Sequence, residues 1–188
     1  MGRWQPDARG RLERAALELY VERGFERTSV AEIAERAGLT ERTFFRHYAD
    51  KREVLFSGSS VLQELLVDAV ARAPETATPM DAVAAAFEAA AGLLQERQEH
   101  ARLRQSVIDA NTELQERELI KLASLSTALA DALRRRGVDD ASAGLAAEVG
   151  VAVFKVAFRR WVERTGDREL STFIAESLAG LRAVTTDE

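Results

Sequence analysis

Apolar residues recur along this chain at helical spacing and hardly anywhere at alternate positions. Leu12, Ala15, Ala16 and Leu19 form a stripe that predicts a first helix from Asp7 to Arg23. Gly24 suits the left-handed position after a helix, and Phe25 the apolar residue that folds back on it. A second helix opens at Ser29, which has capping-box spacing to Glu32. It carries Val30, Ile33, Ala34 and Ala37 on one side and ends at Gly38. Thr40 suits the N-cap of a short third helix, Glu41 to Tyr48. Asp50 is placed to cap a fourth, 51–73, whose middle, Ser57-Gly58-Ser59-Ser60, is a poor helix. That stretch reads either as a hinge or as a place where another helix passes close over Gly58.

Pro74 to Pro79 is the clearest break. After it the pattern predicts helices at 80–99 (opened by Asp81), 101–110, 113–136, 140–165 and 168–184. The seventh carries Leu119, Leu122, Ser126, Leu129 and Leu133, and the cations of Arg134-Arg135-Arg136 complement its dipole. The eighth is apolar nearly all round, from Val149 to Trp161, so it needs partners on all sides. Phe154, Phe158 and Trp161 read as core or interface rather than a cofactor box. The fold class is all-α, with about nine helices, divided at 1–56 and 57–188.

Charge adds a direction. The chain of 188 residues has net charge −5, yet residues 1–56 hold 11 basic and 10 acidic side chains while 57–188 hold 15 and 21. The N-terminal part is therefore the one suited to approach a polyanion. The absence of cysteine rules out disulfide scaffolds and thiol chemistry and suits a reducing cytoplasm. Two histidines, His47 and His100, leave no basis for a histidine metal cluster. The longest run without a charge, Val54 to Gln63, falls short of the ~18 residues of a membrane span, and Met1–Arg11 has no apolar signal region. No nucleophile elbow, phosphate-cradling glycine loop or His-Glu-x-x-His pair occurs, so neither an enzyme nor a cofactor is expected. The bias to 23 arginines over 3 lysines carries no functional meaning by itself.

Two short helices joined through Ala37-Gly38-Leu39-Thr40 read as a helix-turn-helix. If Phe44 and Tyr48 face inward, the third helix shows Arg42, Thr43, Arg46 and His47 outward, where guanidinium groups suit guanine edges or phosphate. Lys51, opening the next helix beside free amides, suits a phosphate. Arg3, Arg9 and Arg11 suit a minor-groove arm. Spacing alone leaves the bland readings open: an ordinary helical domain, a solvated basic face, a plain N-terminal tail.

The stretch Thr28 to Lys51 closely resembles the DNA-binding domain of the tetracycline-repressor (TetR) family. The resemblance rests on Gly24-Phe25-x-x-Thr28-Ser29, Ile33-Ala34-x-x-Ala37-Gly38, Thr43-Phe44-Phe45-x-His47-Tyr48 and Lys51, within residues 8–56. It implies DNA-facing positions at Thr28, Arg42, Thr43, Phe45, His47 and Lys51, with Arg46 alongside. Phe45 departs from the tyrosine common there, whose hydroxyl meets a phosphate; Phe45 can only pack on the sugar-phosphate backbone. The remainder is similar only in plan. It implies a ligand-binding and dimerisation domain whose last two helices form a four-helix interface, here through Val153, Leu170, Ile174, Leu178 and Leu181.

The expectation is a homodimeric, ligand-responsive regulator, a repressor released from a palindromic double-stranded DNA operator by a largely apolar small molecule. An activator and a helical ligand-binder without DNA activity are the alternatives. A pocket walled by Phe87, Leu93, Leu103, Val107, Leu122 and Phe154 suits such a molecule, with Arg104 or Gln105 as polar contact.

Overall fold

The computed structural model describes residues 7–164, 166 and 168–185, and these contain nine α-helices and one 3-10 turn. The order is α1 (Ala8–Arg23), α2 (Val30–Arg36), α3 (Glu41–His47), the 3-10 turn (Glu53–Phe56), α4 (Ser59–Arg72), α5 (Pro79–Gln95), α6 (Gln98–Asp109), α7 (Thr112–Arg135), α8 (Asp140–Glu163) and α9 (Leu170–Thr185). They divide into two compact units. One holds the chain up to Gly58 together with Leu103–Glu118; the other holds Ser59–Arg102 and the chain from Leu119 onward. The continuous division expected at 56/57 therefore misses a helical hairpin. Leu103 to Glu118 belongs with the N-terminal helices because Val107, Ile108 and Leu114 are buried in their core.

The first unit is built on locally encoded caps. The Ser29 hydroxyl accepts from the Glu32 amide while the Glu32 carboxylate accepts from the Ser29 amide, the reciprocal box expected. Thr40 accepts from the Thr43 amide and opens α3. Gly38, at φ 65°, supplies the left-handed residue of the turn between α2 and α3. Leu12, Leu19, Phe25, Ile33, Phe44 and Val54 fill the core, each side chain contributing about 1.5–3 kcal/mol by burial.

The single fourth helix expected over 51–73 is two pieces. Asp50 accepts from the Arg52 and Glu53 amides at 2.8 and 3.2 Å, so it caps the 3-10 turn and not α4. Val54, Leu55 and Phe56 are three successive buried residues of the 3-10 turn, after which the chain turns at Ser57-Gly58 and restarts as α4 at Ser59. A Cβ added at Gly58 meets nothing within 4 Å, which removes the close-approach reading of this glycine.

In the second unit α5 packs on α4, α8 and α9, and α8 on α9. Thr78, not Asp81, is the N-cap of α5. Leu66, Val83, Phe87, Leu129, Leu133, Trp161 and Phe173 are buried among the core. The expected stripe of α7 holds from Ser126 to Leu133, but Leu119 is 57 % exposed. Two arginines of the triplet are structural: Arg134 pairs with Asp131 and Asp140, and Arg136 donates to the carbonyls of Val70, Ala73 and Pro74, closing the end of α4. By length and composition the stretch 53–72 and α8 would each pass for a membrane span. The first is broken at Ser57-Gly58, and α8 buries Ala143, Ala147, Phe154 and Trp161 in the core of its unit.

Not every side of α8 is covered. Leu145 and Val156 are 67 % and 54 % exposed, and with Val149 and Ala152 they form one stripe. The buried side depends on Gly150, where an added Cβ would lie 2.3 Å from Cγ1 of Val83 on α5. Gly150→Ala is expected to destabilise the protein by about 1–3 kcal/mol in urea unfolding. Adding Val83→Ala should recover part of that loss. Independent, additive effects would show that α5 does not approach α8 at this point.

Candidate nucleic-acid interface

The outward face of α3 follows from what its inward face must bury. Phe44 and Tyr48 are fully or nearly buried, with ring centroids 5.6 Å apart. That leaves Arg42, Phe45, Arg46 and His47 exposed, Phe45 at 54 %. Thr43 is half-buried, and its hydroxyl lies 3.1 Å from that of Thr40. The structure thus brings five of the seven expected DNA-facing residues onto one short, firmly held helix.

It removes the other two. Thr28 is 2 % exposed, and its hydroxyl donates to the Gly24 carbonyl at 2.9 Å, so it pins the turn after α1. Lys51 turns inward: its ammonium donates to the carbonyls of Phe25 (2.8 Å), Glu26 (3.3 Å) and Thr28 (3.0 Å) and sits 4.3 Å from the Phe25 ring centroid. An ammonium has three protons, and three carbonyls take them. The loop between α1 and α2 has more unpaired carbonyls than amides to satisfy them, and lysine supplies what is missing.

The expected arginine arm is likewise internal. Arg3 lies outside the described residues. Arg9 donates to the Ser57 carbonyl at 2.6 Å and covers the Tyr48 ring, while Arg11 donates to the carbonyls of Ala37 and Gly38. Arg11 thereby ties α1 to the turn of the helix-turn-helix. Other cations of the unit meet carboxylates: Arg23 with Glu32, Arg36 with Glu18 and Glu22, Arg52 with Asp50 and Glu113, Arg117 with Glu53. Hydrogen bonds from Arg52 hold the Asp50 carboxyl below its ordinary range, and those from Ser29 do the same for Glu32. Burial, reinforced by Asp50, pushes the Tyr20 phenol well up; its hydroxyl donates to the Lys51 carbonyl at 2.7 Å. Arg42 and Arg46 have no acidic partner among the described residues.

Geometry and composition here match known proteins. The sequence profile of the bacterial regulatory proteins of the tetR family matches residues 13–57, and that of the MftR C-terminal domain, a TetR-type C-terminal profile, matches residues 77–186, more than half of the chain. The chain belongs to the TetR family. It is similar to the HTH-type transcriptional regulator TcmR of Streptomyces glaucescens, with 40 % identity over 84 residues, 45 % of this chain and 37 % of TcmR. The match thus spans little more than a third of that relative's length. The fold is that of SmeT, the repressor of the Stenotrophomonas maltophilia multidrug efflux pump SmeDEF: its triclosan complex aligns with TM-score 0.64 and 20 % identity over 92 % of this chain and 90 % of SmeT. Thermus thermophilus FadR in complex with lauroyl-CoA aligns with TM-score 0.51 and 26 % identity over 96 % of both chains. The TetR-family N-terminal match, residues 13–57, takes in most of α1, all of α2 and α3, and the 3-10 turn.

The residues expected to wall the effector pocket are divided between the two units. Phe87 and Phe154 stack at 4.7 Å in the second unit, with Leu122 packed on the same core. Leu103, Arg104, Gln105 and Val107 belong to the first unit, and Leu93 is 50 % exposed. Arg104 donates to the Leu55 carbonyl at 2.6 Å and pairs with Glu118; burial draws its guanidinium below the ordinary range. Together with Arg52–Glu113 and Glu53–Arg117, it fastens 103–118 to the segment 50–56. Sequence reasoning missed this clamp because its partners stand 49 to 64 residues apart.

The Lys51 latch has a direct test. Lys51→Met keeps the stem and strands the carbonyls of Glu26 and Thr28, while that of Phe25 keeps the Thr28 amide, so urea unfolding should show a loss of about 1–3 kcal/mol. The salt slope of DNA binding should not change. A phosphate contact would give the reverse pattern: unchanged stability and a slope lower by about 1.

Proposed function

We propose that this chain is a homodimeric cytoplasmic repressor that holds a palindromic operator through α3 and releases it when a largely apolar small molecule binds the second unit. The observation that carries the DNA reading is the pairing pattern of the first unit. Arg9, Arg11, Arg23, Arg36, Arg52, Arg104, Arg117 and Lys51 are engaged within the protein. Of the remaining described arginines of this unit, Arg14, Arg27, Arg42 and Arg46, all exposed and without an acidic partner among the described residues, the last two stand together beside Phe45 and His47 on the exposed face of α3. Arg42 is assigned to a base edge and Arg46 to phosphate, taking the charge that a tyrosine hydroxyl at position 45 would otherwise complement.

The dimer reading rests on α8. Val153, Leu170 and Ile174 are buried within the chain itself, which favours an interface built on other residues. Leu178 is half-buried against that core as well. The unpartnered stripe Leu145, Val149, Ala152 and Val156 is proposed as the principal interface, with Leu181 at its margin. The effector reading rests on the aromatic row Phe87, Phe154, Phe158 and Trp161, with successive centroids 4.7, 5.8 and 5.6 Å apart. The lauroyl-CoA bound by FadR supports an apolar occupant. The indole N–H of Trp161, buried without a hydrogen-bond partner, replaces Arg104 and Gln105 as the polar contact.

Fluorescence anisotropy on DNA upstream of the chain's own coding sequence tests the assignment. Arg42→Ala should cost about 1–3 kcal/mol on the operator and little on random DNA. Equal loss on both would remove Arg42 from base readout. Val156→Glu should give monomers in sedimentation and abolish operator binding, since two half-sites need two joined recognition helices. An unchanged dimer would place the interface elsewhere.

A further inference from the structure

The first unit contains a cleft of about 350 Å³ beside the turn from α1 to α2, walled on its other side by the last residues of α6 and the turn after it. That volume lies within the usual range for small-molecule sites. Its apolar lining includes Tyr20 and Phe25, packed edge to face at 5.2 Å, and Val107. Val21, an apolar side chain left 50 % exposed, lines it too. Every residue that lines this cleft belongs to the first unit, and none belongs to the aromatic row of the second.

The charge around this cleft is positive for a structural reason. The end of a helix normally presents unpaired carbonyls and repels anions. Here most of the carbonyls around the turn are taken: Tyr20's by the Gly24 amide, Arg23's by Nε of Arg27, Gly24's by Thr28, and those of Phe25, Glu26 and Thr28 by Lys51. Guanidinium donors stay free beside them. Both Nη atoms of Arg27 are without a partner, and Arg23 uses only Nη1, on Glu32. Glu26 is the one carboxylate in the lining, against two guanidinium groups.

We infer that this cleft is a second small-molecule site, on the DNA-reading unit itself, for an aromatic or short aliphatic carboxylate. The ring or chain lies in the cleft against the exposed Val21 side chain, and the carboxylate meets the Arg27 fork. A ligand seated there braces the same α1–α2 turn that Lys51 holds.

Calorimetry with 1-naphthoate, and with the neutral 1-naphthalenemethanol as comparator, tests this on the full chain. One saturable site per chain is expected for the carboxylate, with the alcohol binding about tenfold more weakly or worse. Arg27→Ala should weaken naphthoate about tenfold and Arg27→Lys less. Ala110→Trp, at an exposed position in the lining, should block the cleft while leaving urea unfolding unchanged. Absence of saturable binding, or binding unaffected by both Arg27→Ala and Ala110→Trp, overturns the site. So does an Arg27→Ala that lowers the salt slope of DNA binding by about one and leaves naphthoate affinity intact, since Arg27 then contacts phosphate. Operator affinity, measured on the same variants without naphthoate, reports separately on the regulator reading.

Discussion

The structure depends on cationic side chains that close off backbone carbonyls where helices end. Each helix leaves its last carbonyls without an intrahelical partner, and a short-helix unit has many such ends for its size. Arg11 closes the end of α2, Lys51 the turn after α1, Arg9 the Ser57 carbonyl, Arg104 the Leu55 carbonyl and Arg136 the end of α4. Five long side chains thus do what glycine motifs and water do elsewhere. The arginine-rich composition, uninformative as a count, has a structural use once these partners are seen.

The same constraint bears on function. A cation spent on a carbonyl or carboxylate is lost to a polyanion, so the arginine charge left available among the described residues of the first unit contracts to Arg14, the Nη atoms of Arg27, Arg42 and Arg46. Arg42 and Arg46 stand together among them on α3, whose flanks are tied by the bonds that engage Arg11 and Lys51. Arg11 joins α1 to the turn before α3, and Lys51 joins the segment after α3 to the turn before α2. α3, the helix proposed to read DNA, is therefore braced on both flanks by residues that sequence inspection assigns to DNA.

What could be read from the chain was local. The Ser29–Glu32 box, the Thr40 cap, Gly38 and the inward Phe44 and Tyr48 involve neighbours three or four residues apart, and all appear as expected. What could not be read was distant. Lys51 finds its carbonyls 23 to 26 residues back, and Arg104, Arg52 and Arg117 find partners 49 to 64 residues away. A capping lysine and a phosphate-binding lysine have the same letter and the same flanks. Nor does an amphipathic stripe say whose core it meets: Leu170 and Ile174 suit a partner subunit and a neighbouring helix equally well, and here they serve the helix. The break at Ser57-Gly58 lies where a continuous helix is expected, because a weak helical stretch reads equally well as a hinge within one helix or as the gap between two.

The central claim, that the cations flanking α3 face inward and stay there, is tested most directly by the Lys51 ammonium itself. With only 3 lysines in the chain, its proton–nitrogen resonance can be assigned by substitution. The account predicts an ammonium signal protected from solvent exchange in the free protein and unshifted when operator DNA is added to saturation. An ammonium signal absent from the free protein, appearing only with DNA and coupled to phosphorus, would contradict it.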